Sequence, residues 1–168
     1  ARSCGLGMAW HQHWGSIFEE APIFDRLMEL TDPAVVGFCP DLGQLLLCGF
    51  DVVGTVQRYI SRVRFVHYKD ITFSGRPQGE LWPGYRVPSD EGGYGVDSKG
   101  RWVELGRGAV DFPAVTKVLL AAGYDGWLMD DFDFTCYAPR ASVQACKDYI
   151  NLGLGIWSER DKRRGLAK

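Results

Sequence analysis

All three histidines of the chain, His11, His13 and His67, stand at the ends of short apolar runs, and so do Asp41 and Asp131. Imidazole and carboxylate are the side chains that hold divalent cations such as manganese, cobalt, iron or zinc. Two of each brought to one place would make a metal site with positions left open for substrate. His11 and His13 are two residues apart in Leu6-Gly-Met-Ala-Trp-His-Gln-His13, and the period of two in a strand puts both rings on one face. Lys69, two residues beyond His67, points the same way, as a proton carrier or a ligand of a substrate oxygen, unless it is simply an exposed lysine. Each carboxylate has a plain alternative. Asp41 after Pro40 can be a turn residue or an N-cap, Asp131 part of a solvated acidic cluster with Asp130 and Asp133, and Asp70 a cap for the segment after it.

The elements that must carry these groups are short strands followed by helices. Val63-Arg-Phe-Val-His-Tyr-Lys-Asp70 has the β-branched and aromatic residues of a strand and turns polar at its C-terminal end. Leu6 to His13 reads the same way. Ile17, Phe18, Phe24, Leu27, Met28 and Leu30 then recur at helical spacing up to the stop at Asp32-Pro33. Val35 to Cys39 is a second strand. After it come a helical turn over Gly43 to Cys48 and a helix over Val52 to Arg62 capped by Asp51. From Met8 to Val35 to Val63 the pitch is 27 and then 28 residues, the length of a strand plus a crossover helix. Periodicity returns at Asp111, the N-cap of a helix that stops at Gly123. A strand Trp127-Leu-Met129 ends in Asp130-Asp131-Phe-Asp133, and a last helix spans Ala141 to Trp157. Four such units make an α/β protein with a parallel sheet, in which ligands gather at the carboxyl ends of the strands.

The stretch 72–102 breaks this regularity with seven glycines and three prolines among Trp82, Tyr85, Tyr94 and Trp102, and is expected to be a folded flap inserted after the third strand. Residues 1–157 form one domain, and 158–168 a basic tail diluted by Glu159 and Asp161. A net charge of −2 gives no electrostatic reason to expect nucleic acid, and no apolar run nears the length of a membrane span. Five cysteines without a CxxC spacing point to reduced, mostly buried thiols in a cytoplasmic protein.

The runs Ala9-Trp-His-Gln-His-Trp-Gly15, Gly37-Phe-Cys-Pro-Asp-Leu-Gly-Gln44, Val66-His-Tyr-Lys-Asp70, Leu105-Gly-Arg-Gly-Ala-Val-Asp-Phe-Pro113 and Gly123-Tyr-Asp-Gly-Trp-Leu-Met-Asp-Asp131 resemble, in this order, the C-terminal half of the sugar phosphate isomerase/epimerase superfamily. The nearest branch is that of the inosose dehydratases. The resemblance implies a TIM-type (β/α)8 barrel whose last four strands hold a divalent metal, here through His11, Asp41, His67 and Asp131. Manganese or cobalt comes first, then iron, zinc or magnesium. It implies a keto-polyol or keto-sugar substrate, removal of the proton α to its carbonyl, and then loss of water, or reprotonation in an epimerase or isomerase. The catalytic candidates are Lys69, His13 and Gln44, and the substrate-binding candidates Trp14, Arg107 and Asp133. Three positions depart from the family pattern. Gln44 stands where His is usual, Asp131 where Glu is usual, with Asp130 or Asp133 as substitutes, and Arg107 where an acidic residue is common.

A closed eight-stranded barrel takes about 250 residues, and this chain of 168 supplies four or five of the strands, so open strand edges and an apolar interior need covering. The expected cover is a missing N-terminal half, with a homodimer mate or another subunit as the alternatives. A non-catalytic barrel subunit is the remaining reading of function.

Overall fold

The computed structural model describes residues 2–73, 95–96, 100–133, 135, 137–158, 162–163 and 165, so most of the expected flap 72–102 and of the tail 158–168, together with Cys136, lies outside the described residues. Strand β1 (Met8–His11) leads to α1 (Ala21–Leu30), β2 (Val36–Cys39), α2 (Leu42–Leu47), α3 (Val52–Arg58) and β3 (Phe65–Tyr68). Three short strands come next, β4 (Asp70–Thr72), β5 (Gly95–Val96) and β6 (Gly100–Val103), and the chain then returns to α4 (Phe112–Ala121), β7 (Trp127–Asp130) and α5 (Pro139–Asp148).

Strands β1 and β2 pair in parallel, as do β3 and β7. The two pairs are joined by hydrogen bonds donated from Arg64 N to Phe38 O and from His67 N to Pro40 O, both 2.9 Å. The order is therefore β1-β2-β3-β7, four neighbouring parallel strands with their carboxyl ends on one side. Strands β4, β6 and β5 form a separate antiparallel sheet that begins where β3 ends.

One face of the parallel sheet is packed. Phe38, Val66 and Tyr68 meet Phe24 and Met28 of α1, Val56 of α3, and Phe112, Val115 and Leu119 of α4 in one buried cluster. Each fully buried side chain of this kind stabilises the fold by about 1.5–3 kcal/mol. The other face is open. Trp127 and Met129, opposite Phe65 and His67 in the register, are 79% and 43% exposed. Parallel sheets are ordinarily covered on both faces, and four parallel strands with one face uncovered among the described residues are half of a TIM-type barrel.

Local chemistry explains the helix limits. Asp51 and Asp111 cap α3 and α4 by accepting from Gly54 N and Ala114 N, each at 3.0 Å. Gly123 takes a φ of +68°, the left-handed stop that ends α4. Helix α1 has no basic residue in its last turn, and buried Arg62 reaches over from the approach to β3 instead. Its guanidinium donates to Met28 O, to Thr31 Oγ1 at 2.7 Å and to Val36 O at 2.7 Å.

Four expected boundaries are corrected. The first strand stops at His11, so His13 lies in the following loop and does not share a strand face with it. Helix α1 begins at Ala21, with Pro22 in its first turn, and excludes Ile17 and Phe18. Helix α3 ends at Arg58 and tightens into a 3₁₀ turn over Ile60–Arg62. The last helix ends at Asp148 and continues as a π-turn over Tyr149–Gly153, which sets the Tyr149 ring against Gly106, where a β-carbon would collide with it. The four described cysteines are free, and Cys39 and Cys146 are buried. Burial pushes the Cys39 thiol up to about 12.

Candidate metal centre

Each of the four groups at the strand ends is placed by its own element. His11 closes β1 and His67 lies in β3, while Asp41 follows β2 and Asp131 follows β7. Backbone hydrogen bonds carry the pairing past the strands: Asp41 bridges to His67, and Asp131 N donates to Tyr68 O at 3.0 Å. The sheet register thus delivers two imidazoles and two carboxylates at one level. One ligand atom from each of His11, Asp41, His67 and Asp131 lies within 4.8 Å of all the others. His11 Nε2 is 3.3 Å from Asp41 Oδ2, and His67 Nδ1 is 2.8 Å from Asp131 Oδ2 and 3.8 Å from Asp41 Oδ2. Donors on opposite sides of a small divalent cation are about 4–4.5 Å apart, so this set fits one. Its mixture of nitrogen and oxygen suits a transition metal better than calcium.

Asp41 caps its own helix and faces the cluster at once. It is fully buried, and its Oδ1 accepts from Gln44 N at 2.9 Å as the N-cap of α2, leaving Oδ2 for the two imidazoles. Asp131 is the member of the acidic run that joins the cluster. The hydrogen bond from His67, aided by the Lys69 charge, holds its carboxyl well below the usual carboxylate range. Asp130 turns away toward buried Cys146, and burial, with Asp131 and Glu104 nearby, pushes its carboxyl up to about 7.

Lys69 is not an exposed lysine. Its side chain is 2% exposed, with Nζ 2.6 Å from Asp133 Oδ2, 3.4 Å from Asp131 Oδ2 and 4.0 Å from Asp41 Oδ2. The Trp102 ring covers it, with the ammonium 4.7 Å from the ring centroid. This packing depends on Gly43 in the first turn of α2, where a β-carbon would come within 2.9 Å of both the Lys69 carbonyl and the Trp102 ring. Trp14 packs on the same small cluster of Leu47, Ile71 and Trp102. Gln44 is 1% exposed, and its amide lies between Trp14 N, at 3.0 Å, and His13 Nε2, at 3.1 Å.

Sequence reasoning missed Trp102, because a tryptophan among glycines gives no sign that β6 returns it to the end of β3. It also took Asp70 for a cap of unknown target. The Asp70 carboxylate accepts from the backbone N–H groups of Ile71, Gly106, Arg107, Gly108 and Val110, at 2.8 to 3.2 Å. Burial pushes it up to about 6 against the pull of those amides. It thereby pins the loop that carries Arg107, whose electrostatic neighbours include Tyr137 and Glu104, and burial lowers the Arg107 pKa. A cavity of about 580 Å³ lined by Leu119, Tyr124, Trp127, Ile150 and Trp157 holds none of the four cluster residues.

The chain is 30% identical over 149 residues to an inosose dehydratase of Geobacillus kaustophilus, an alignment that covers 88% of this chain and 46% of that protein. It is 29% identical over 153 residues to an inosose dehydratase of Salmonella typhimurium, covering 90% and 48%. It therefore spans about half the length of the relatives it matches. Among solved structures, mannonate dehydratase from Streptococcus suis superposes with a TM-score of 0.61 at 16% identity, over 94% of this chain and 49% of that one. A xylose isomerase domain protein from Planctomyces limnophilus gives 0.59 at 20% identity, over 92% and 46%. At these identities the superpositions bear on the fold alone, and both agree with four parallel strands of a larger barrel. Residues 1–131 match the xylose isomerase-like TIM barrel family, and the chain belongs to it.

Proposed function

We propose that the chain is the metal-binding half of a dehydratase acting on a cyclic keto-polyol of the inosose kind. The observation that carries this reading is the convergence of His11, Asp41, His67 and Asp131 on one point. These four residues would hold the metal, manganese or cobalt in preference to iron, zinc or magnesium. When bound, such a cation supplies a Lewis acid for a ketone oxygen and the hydroxyl beside it. The rest of the chemistry falls to nearby side chains. Lys69, steadied by Asp133, carries the proton, taking the one α to the carbonyl and handing it to the departing β-hydroxyl, while His13, with both nitrogens hydrogen-bonded, shapes the site beside it. Trp14 and Arg107 bind and orient the polyol. The relatives named inosose dehydratase support the dehydration step, and the open sheet face supports completion of the barrel by four further strands. Those strands come from polypeptide beyond this chain, from a second copy or from another subunit. The reduced thiols fit a cytoplasmic location.

The test is made on the protein in the assembly in which it purifies. Calorimetry with Mn²⁺ and Co²⁺ should show binding. An inosose incubated with the loaded protein in D₂O should lose one molecule of water. Deuterium uptake at the α-carbon without loss of water would reassign the reaction to an epimerase or isomerase. Absence of metal binding would overturn the enzyme reading in favour of a non-catalytic barrel subunit.

A further inference from the structure

His13 is a histidine close to the cluster but outside it. Its ring centroid is 5.8 Å from that of His11, yet both of its nitrogens are engaged elsewhere. The identity of the atoms around it fixes which nitrogen carries the hydrogen. Trp14 N can only donate, so the Gln44 side-chain atom 3.0 Å from it is the carbonyl oxygen Oε1. The other end of the amide is then the NH₂ group, which lies 3.1 Å from His13 Nε2 and donates to it. Nε2 must therefore present its lone pair. On the opposite side of the ring, Nδ1 lies 2.7 Å from the Trp14 carbonyl oxygen, which can only accept, so Nδ1 carries the hydrogen. The three contacts agree on one tautomer. The amide that imposes it is fixed in turn, since Gln44 is 1% exposed and its backbone N–H donates to Asp41 Oδ1 at 2.9 Å.

We infer that Gln44 is a positioning residue: it holds His13 in the Nδ1–H tautomer by donating to the Nε2 lone pair, so that neither ring nitrogen is left for a metal ion or a substrate proton. A buried amide between Trp14 and His13 acts through the imidazole, so Gln44 itself is not a catalytic residue. With both nitrogens hydrogen-bonded, the ring is a fixed part of the site's wall and not a base. The inference rests on the hydrogen bonds and stands whatever reaction the site performs.

The experiment is a long-range ¹H–¹⁵N correlation spectrum of the full chain at a pH where its histidines are neutral. The expected result for His13 is a pyrrole-type Nδ1 and a pyridine-type Nε2. In Gln44→Met, which keeps the volume and removes the amide, the His13 signals should move toward the mixed pattern of an unconstrained imidazole. Gln44→Asn, one methylene short of His13, should do the same and serves if the Met variant loses its fold. Added Zn²⁺ should shift the His11 and His67 nitrogens and leave those of His13 in place. A pyridine-type Nδ1 in the unaltered protein, an unchanged pattern in a folded Gln44 variant, or a ligand-type shift of His13 on adding Zn²⁺ would each overturn the inference. If Zn²⁺ shifts no histidine, the metal reading fails, and the His13 pattern still decides the role of Gln44.

Discussion

Asp41 and Asp70 are both buried carboxylates placed just after parallel strands, and both accept backbone N–H groups. They differ in what they have left over. Asp41 spends one oxygen on the N-cap of α2 and turns the other toward His11 and His67. Asp70 spends both oxygens on five amides, three on Oδ2 and two on Oδ1. Burial and hydrogen bonding alone do not mark a functional carboxylate; the lone pairs that remain do. Asp70 is a structural carboxylate that shapes the loop over 105–110, and Asp41 caps a helix with one oxygen and holds the other among the imidazoles, where a ligand would be needed.

The largest effect that tests this contrast is on stability at Asp70. Asp70→Asn replaces one acceptor oxygen with a donor facing buried amides. It should cost about 3 kcal/mol or more, roughly 6–12 °C in Tm for a domain of this size, measured by thermal denaturation. If it is as harmless as Asp41→Asn, the contrast is wrong. Asp41→Asn should show the reverse profile. Asn is as good an N-cap as Asp, so the fold should lose only a few tenths of a kcal/mol. Metal affinity should fall at least about 100-fold, since even changes behind the ligands cost about 10–100-fold. At a metal concentration of about 100 times the wild-type Kd, the wild type should gain about 2.7 kcal/mol of stability and the variant almost none.

The smallest effect is on pH dependence in a chelator, where Asp131 and Asp70 should differ in sign. The folded-state pKa of Asp131 is depressed by His67 and Lys69. Its contribution is therefore present above the unfolded value of about 3.9 and lost as the pH falls through the lower folded value, about 1 kcal/mol after solvent screening. The Asp70 pKa is raised to about 6, so its contribution is present below about pH 3.9 and gone once the pH has risen through 6. Stability curves of wild type and Asp131→Asn should show the acid-side loss only in the wild type, with the Asp70 limb common to both.

Much of the site was legible because polar residues at the ends of apolar runs have few structural reasons to be there. Period and pitch placed His11, Asp41, His67 and Asp131 at the ends of four parallel strands, and the caps Asp51 and Asp111 and the stop at Gly123 answer local backbone needs. His13 was misplaced because periodicity does not show where a strand stops pairing. The burial of Lys69 was not legible either, since it depends on Gly43 leaving room and on Trp102 arriving more than thirty residues later.

The sequence by itself determined the kind of site, because residue type fixes which atoms can bind a cation and strand period fixes which of them face the same way. Only the tertiary structure decided which carboxylate keeps a free lone pair, which aspartate of the Asp130–Asp133 run joins the imidazoles, and which tautomer His13 adopts. Those outcomes depend on the donors and acceptors that distant segments bring within about 3 Å, and hydrogen bonds fall away too steeply with distance and angle for spacing along the chain to foretell them.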